Sequence, residues 1–360
     1  MDRAQIENAL KQVEDPNTGT DLVSAKSVKN ITVDGGAVSV EIVLGYPAKS
    51  WADELATTVR SQLQGLQDVE SVDVKVTWDI ISHTVQKGVK PLEGVRNMIA
   101  VASGKGGVGK STVAVNLALA LSAEGARVGV LDADIYGPSQ PRMLGITGKP
   151  ESKDGKSMEP LTRYGLQAMS IGFLIDEETP MIWRGPMVTQ ALEQMLKETH
   201  WEELDYLIID LPPGTGDTQL TLAQRVPVTG AVIVTTPQDI ALLDARKAYK
   251  MFEKVEIPVL GVVENMSTHI CSKCGHEEHI FGEGGGRSMA EQYGVPFLGD
   301  IPLDMQIRMD ADGGKPTVVS DPDGRVAQSY KAIARRVAAA IATRKKDYSA
   351  KFPSIVVENS

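Results

Sequence analysis

Five short, almost wholly apolar runs recur from residue 98 onward: MIAVA (98–102), RVGVLD (127–132), YLIID (206–210), AVIVTT (231–236) and PVLGVVE (258–264). Segments of helix length lie between them, including STVAVNLALALSAEG, which Gly125 would cap, and MVTQALEQMLKETH. A strand that is apolar on both faces must be covered on both faces. Strands alternating with helices achieve this as a mostly parallel sheet flanked by helices, so the predicted fold class is α/β. In such sheets ligands gather beyond the carboxyl ends of the strands, and the chemistry is expected to follow Ala102, Asp132, Asp210, Thr236 and Glu264.

Residues 1–85 have a different texture. AQIENALKQV has helical spacing, SVKNITV and AVSVEIVL alternate with period two around Asp34-Gly35-Gly36, WADELATTVRSQL reads as a helix and VESVDVKVTW as a strand. The reading is a small α+β domain of order αββαβ over 1–85. A linker follows over 86–96 in the Gly- and Pro-containing stretch, then the α/β domain over 97–345 and a tail over 346–360. At 360 residues, a prior of roughly 150 residues per domain gives two or three domains.

The net charge of −10 opposes general affinity for nucleic acid or anionic membranes, so no nucleic-acid partner and no stable membrane association are expected. No apolar run approaches the roughly 18 residues that span a bilayer. The start MDRAQIENALKQ lacks an apolar stretch behind a basic one, and the chain has only 2 cysteines, so a reducing cytoplasmic setting is expected.

Gly104-Lys105-Gly106-Gly107-Val108-Gly109-Lys110-Ser111 follows the first apolar run and opens a helix, the context in which such a loop cradles phosphates. Its backbone N–H groups and the helix N-terminus favour anionic oxygens, Lys110 reaches the outer phosphates, and Ser111 is placed to ligate Mg²⁺. ATP with Mg²⁺ is the expected ligand. Lys105 is a second cation in a loop that already has one. It is either a solvated surface lysine or a charge offered across a dimer to a partner's nucleotide, as an arginine finger is.

Cys271-Ser272-Lys273-Cys274 fits a redox pair, half a zinc site or half an iron–sulfur site. The Gly275-His276 that follows and the nearby GEGGGR do not read as a thioredoxin-like helix start. His269, His276 and His279 make zinc within one chain conceivable at cramped spacing. Two thiols per chain become four across a two-fold axis, which suits either a shared [4Fe–4S] cluster or a shared zinc ion, and chemistry alone leaves both open.

GKGGVGKST resembles the deviant Walker A motif of the MinD, ParA and nitrogenase-iron-protein ATPases, whose signature lysine acts across a nucleotide-sandwich dimer. LDADIYGPSQP (131–141), IGFLIDEETPMIWRGPMV (171–188), DYLIIDLPPGTGDTQLTLAQ (205–224) and ENMSTHICSKCGHEEHIFG (264–282) further resemble Mrp or ApbC-type iron–sulfur cluster carriers, over residues 95 to about 340. DPNTGTDLV and VLGYPA resemble the small iron–sulfur-assembly-associated domain fused ahead of such ATPases. Some members carry a cysteine where this chain reads GYPAKS, so a ligand role for the N-terminal domain is not expected.

The resemblance implies a P-loop NTPase fold and an ATPase that carries a [4Fe–4S] cluster. The nucleotide is held by Gly104 to Thr112 with Asp132, and Lys105 acts in trans. Asp210 holds Mg²⁺ through water, and Asp134 orients the attacking water on a switch loop. Asn265 contacts adenine, and Cys271 with Cys274 ligates the cluster across a homodimer. Apo iron–sulfur proteins and cluster assembly factors are the implied partners. Asp132 and Asp134 could instead serve as turn residues, and Asn265 as an Asx-turn. A MinD-like positioning ATPase would need a membrane-binding tail helix. RVAQSYKAIARRVAAAIATRKK has few large apolar side chains and is expected to pack on the sheet. A ParA-like DNA-partition ATPase is opposed by the acidic charge, and a zinc-bridged dimer remains the other alternative.

Overall fold

The computed structural model describes residues 2–175, 185–271 and 273–346. The N-terminal unit opens with α1 (Arg3–Leu10), where the Asp2 carboxylate accepts the Gln5 N–H and the Gln5 side chain accepts the Asp2 N–H, both at 2.9 Å. A two-residue pairing of β1 (Glu14–Asp15) with β2 (Thr20–Asp21) leads into β3 (Val28–Asp34) and β4 (Ala37–Leu44). Gly35, at φ 59°, makes the turn between these two strands. After α2 (Ala52–Gln64), β5 (Ser71–Trp78) pairs parallel to β4, giving the order β3-β4-β5. Val38, Val40, Ile42 and Leu44 alternate onto one buried face, and Leu55, Val59 and Leu63 of α2 are buried with them.

The larger unit begins with β6 (Val95–Ala102), α3 (Lys110–Ala123), β7 (Val128–Asp132) and the short α4 (Gln140–Leu144). There follow β8 (Leu161–Arg163), β9 (Leu166–Ser170), α5 (Gly185–Glu198), β10 (Leu204–Asp210), α6 (Asp217–Arg225), β11 (Gly230–Thr235), α7 (Asp239–Lys254) and β12 (Val259–Asn265). A small hairpin of β13 (His269–Ile270) and β14 (Glu277–Glu278) precedes α8 (Gly285–Tyr293), β15 (Phe297–Ile301), α9 (Met305–Asp312), α10 (Thr317–Ser320) and α11 (Arg325–Ala342). The eight-stranded sheet runs β15-β12-β11-β6-β10-β7-β9-β8, parallel throughout except that β8 is antiparallel to β9.

All five apolar runs are strands of this sheet. Three further strands went unread. β8 carries Thr162 and Arg163, β9 carries Gln167 and Ser170, and β15 contains a glycine and an aspartate. Two of the three are sheet edges, where burial on both faces is not required. The stretch 86–96, which composition marks as a linker, is pinned to the larger unit. Gln86 is buried, its amide donates to the carbonyls of Ala223 and Val226, and its oxygen accepts the Val228 N–H at 2.8 Å. Within the same stretch β6 already begins at Val95. One glutamine thereby satisfies backbone groups left open where α6 ends.

The two units meet at the far end of α3. Gly125 follows its cap at φ 103°, and a Cβ there would lie 2.5 Å from the Trp78 ring, so both conformation and contact demand glycine. The cap residue Glu124 is fully buried. It accepts the Ser50 N–H at 2.9 Å and the Ser50 hydroxyl from the N-terminal unit, and Arg335 of α11 at 2.8 Å. The alanine-rich face of α11, with Ala327, Tyr330, Ala334 and Val337, is buried against α3 and β15. Among the described residues no helix is long and apolar enough to cross a membrane.

Removing the Glu124 carboxylate would leave the half-buried Arg335 without its counter-charge, so Glu124→Ala is expected to cost about 3 kcal/mol of stability. Urea unfolding measures this. The double variant Glu124→Ala/Arg335→Leu is expected to recover part of the loss.

Candidate nucleotide site and cysteine hairpin

The loop Ser103–Gly109 links β6 to α3 at the carboxyl edge of the sheet. Gly107 and Gly109 both take φ 80°, which lets consecutive amides turn inward. Gly104 lies so close to α7 that a Cβ would sit 2.1 Å from the Asp244 backbone. The Lys105 carbonyl accepts the Ser103 hydroxyl at 2.8 Å. Its half-buried side chain makes no hydrogen bond or ion pair with a described residue. Gly106 is exposed, Val108 is buried, and Ser111 and Thr112 are half-buried at the start of α3.

Lys110 is buried, and its ammonium is paired with the fully buried Asp210 while lying 3.2 Å from the Ser111 hydroxyl. The second Asp210 oxygen accepts the Gln140 amide at 2.8 Å, and the same amide donates to the Ser111 carbonyl at 3.1 Å. The structure thus brings Lys110, Ser111 and Asp210 together and adds Gln140, which the sequence reading missed. Gln140 lies inside the LDADIYGPSQP stretch, yet no periodicity marks a single polar contact.

Asp132 ends β7 beside Asp210, the two being register partners across neighbouring strands. Its Oδ2 accepts the N–H groups of Ser139 and Gln140 at 2.9 and 3.0 Å and the Ser170 hydroxyl at 3.1 Å, and its Oδ1 accepts the Asp134 N–H at 3.2 Å. One carboxylate therefore closes the loop 132–140 from both ends. Burial and the neighbouring Asp210 charge push the Asp132 carboxyl up to about 7. The half-buried Asp134 is raised too, chiefly by burial, with Lys110 opposing the shift.

Asn265, at the end of β12, is buried and donates its side-chain amide to the Val108 carbonyl at 2.9 Å. It touches the nucleotide loop itself, and the rival Asx-turn reading finds no hydrogen bond among the described residues. Six residues later Cys271 begins the turn between β13 and β14, where its N–H donates to the His276 carbonyl at 2.9 Å and its own carbonyl accepts the Gly275 N–H at 2.8 Å. Cys271 is half-buried and Cys274 exposed. Backbone N–H groups of Lys273 and Cys274 hold the Cys271 thiol below its ordinary range. His269 and His279 engage the carbonyls of Leu303 and Ser267, both at 3.1 Å. Among the described residues Cys271, Cys274, His269, His276 and His279 do not gather into a set of three metal ligands. The stretch 176–184 of the IGFLIDEETPMIWRGPMV match lies outside the described residues. A cleft of about 950 Å³, lined by Gly94, Arg127 and Trp201, opens at the amino ends of the strands, away from this chemistry.

A glycine-rich loop between a buried strand and a helix, with a lysine at the helix start against a strand-end aspartate, defines a P-loop nucleotide-binding protein. The family model of the NUBPL iron-transfer P-loop NTPase matches residues 94–338, and the chain belongs to that family. A second model, of an iron–sulfur cluster assembly protein, matches residues 3–76. The iron–sulfur cluster carrier protein of Haemophilus influenzae is 50% identical over 334 residues, covering 92% of this chain and 90% of that protein. The mouse iron–sulfur cluster transfer protein NUBPL is 54% identical over 250 residues, 69% of this chain and 78% of its own. Among solved structures, the nucleotide-binding protein of Archaeoglobus fulgidus in complex with ADP is 39% identical, with a TM-score of 0.56 over 66% of this chain and 92% of that one. The cell division ATPase MinD of Pyrococcus furiosus, 22% identical with a TM-score of 0.51 over 67% of this chain and 98% of that one, shares the fold.

A carboxyl whose folded pKa lies above its unfolded value binds more protons in the folded state, so it removes stability as pH rises between the two values. For Asp132 that window runs from about 4 to about 7. Asp132→Asn is expected to flatten the fall in stability across it, measured by urea unfolding without nucleotide at pH 5 and pH 8. An unchanged slope would show that Asp132 is ionised throughout.

Proposed function

We propose that this protein is an ATP-hydrolysing carrier that holds a [4Fe–4S] cluster between two copies through Cys271 and Cys274 and passes it to apo-proteins. The observation that carries this reading is the joining of two incomplete sites within one short span. The nucleotide loop has a spare cation in Lys105, and the hairpin six residues beyond Asn265 offers both of the chain's 2 cysteines, half the ligand set of a cluster.

A two-fold dimer completes both sites. Large apolar side chains are exposed where strands end at the carboxyl edge: Tyr136 after β7, Ile240 and Leu243 at the start of α7, Ile280 after β14, and Met305 and Met309 on α9. Such residues clustered on one edge mark an interaction surface, and a second copy seated there would bring each Lys105 toward the partner's phosphates.

Within the site, the loop amides from Gly104 to Thr112 hold the phosphates and Lys110 exchanges Asp210 for the outer phosphate oxygens. Ser111 directly, and Asp210 through water, would hold Mg²⁺, which when bound neutralises charge on those oxygens. Asp134 orients the water whose oxygen attacks the terminal phosphorus. The bond from that phosphorus to the bridging oxygen breaks, giving ADP and inorganic phosphate, and the water's protons leave with the phosphate and solvent. Asp132 holds the loop that carries Asp134, and Asn265, which also bonds the Val108 carbonyl, contacts the adenine.

Lys105→Ala is expected to bind nucleotide normally while turnover falls by on the order of 10³. Wild-type turnover in that variant would remove the trans lysine. Cys271→Ala and Cys274→Ala are expected to bind ADP and lose iron after anaerobic reconstitution, read by visible absorbance and Mössbauer spectra. Zinc with no cluster absorbance in the wild type would favour the zinc-bridged dimer instead.

A further inference from the structure

Gln140 is a polar side chain only 1% exposed, set between Asp210 and the start of α3. Its amide nitrogen is spoken for by Asp210 at 2.8 Å and the Ser111 carbonyl at 3.1 Å. Two acceptors fix the orientation of the amide, because a flipped side chain would set its oxygen against a carboxylate and a carbonyl. The amide oxygen is therefore the end left over, and it is buried with no partner among the described residues. The Ser139 hydroxyl, one residue earlier, is likewise enclosed and unpartnered. A buried acceptor without a donor costs about 1–3 kcal/mol, so the orphan Gln140 oxygen points to a hydrogen-bearing ligand.

The backbone around them is held independently. Asp132 accepts both the Ser139 and the Gln140 N–H groups, which fixes the start of α4 whatever the side chain of Gln140 does. Pro138 and Pro141 flank the pair and stiffen the turn. The side chain is thus free to serve the site, and it bridges three segments: the loop from β7, the strand end at Asp210 and the helix start at Ser111.

We propose that Gln140 is a positioning residue for the metal–nucleotide complex. Its amide nitrogen orients Asp210 against Ser111, and its amide oxygen accepts a hydrogen bond from a water bound to Mg²⁺ beside those two residues. This rests on the reading of the loop as a nucleotide site. The ligand recognised is a hydrated divalent cation carried by a nucleoside diphosphate or triphosphate, and the bare nucleotide gains nothing from Gln140.

Gln140→Met, which keeps volume and removes both polar ends, tests the idea with a fluorescent ADP analogue titrated in EDTA and again across a Mg²⁺ series. Affinity in EDTA is expected to stay within about twofold of the wild type, while the Mg²⁺ concentration giving half-maximal enhancement rises at least about tenfold. Gln140→Glu, which retains the acceptor oxygen and adds negative charge beside the cation site, is expected to keep the Mg²⁺ response at pH 8, and its loss there would count against the proposal. A melting temperature measured without ligand guards against misfolding. Wild-type Mg²⁺ dependence in Gln140→Met would overturn the proposal, and so would an equal loss of binding with and without Mg²⁺, which would mark a purely structural role. Failure of the wild type to bind the analogue under either condition would instead overturn the nucleotide reading.

Discussion

Asp210 has no exposed surface, and the carboxyl edge of the sheet is arranged around its charge. A carboxylate taken out of water costs several kcal/mol unless it is paired and hydrogen-bonded, and Lys110 supplies the pair while Gln140 supplies the hydrogen bond. Those two partners come from different segments, the start of α3 and the start of α4. Satisfying one strand-end acid therefore ties the glycine loop and the loop after β7 to the same point. Asp132 shows the other side of this arrangement. Lying next to Asp210 in register, it is a second buried acid with no cation of its own, and its raised pKa follows from that shortage. A site with two acids and one lysine is short of positive charge, the condition under which a divalent cation binds well.

The same helix that starts at Lys110 ends at Glu124. Fourteen residues at about 1.5 Å each make α3 a rod of about 21 Å between the nucleotide loop and the N-terminal unit. Its body is buried on nearly every side, so it cannot bend cheaply, and its far end is fixed by Ser50 and Arg335. The N-terminal unit is therefore built onto the base of the larger one. His83, Gln86 and Arg96 add further bonds across the same region: His83 to Asn97 at 3.0 Å, Gln86 to the end of α6, and Arg96 to the Ile80 carbonyl at 3.0 Å.

Much of this was legible in the sequence because the physical signals are strong. Strands buried on both faces must be apolar throughout, so five of the eight strands announce themselves. A phosphate loop needs glycines at fixed offsets, and the residues from Gly104 to Ser111 supply them. The αββαβ order of the first 85 residues was visible for the same reason, since one face of each element must be apolar. What escaped were the two edge strands, whose burial requirement is weak, the short β9 beside one of them, and single buried polar contacts, which have no period. Gln140, Glu124, Gln86 and Ser170 each do one job defined by three-dimensional neighbours that are distant in the chain. The pairing of Lys110 with Asp210 was hidden too, because spacing assigns the lysine to phosphate and only the fold shows where its charge rests.

The hairpin and the nucleotide loop are joined through a shorter connection than their chemistry would require. Asn265 is the last residue of β12, held from within the sheet, and its side chain grips the Val108 carbonyl so closely that a Cβ on Gly109 would lie 2.2 Å from the amide nitrogen. Met266 follows in the left-handed region at φ 58°, a conformation that costs a non-glycine residue about 1 kcal/mol or more and persists only where its surroundings dictate it. Ser267 then donates to Asp300 at 3.2 Å and accepts from His279 across the hairpin at 3.1 Å. Directional contacts thus tie Val108 to Asn265, and Ser267 to the far side of the hairpin that carries Cys271. On the proposed reading, this short connection is the route by which the nucleotide loop and the thiols would be coupled.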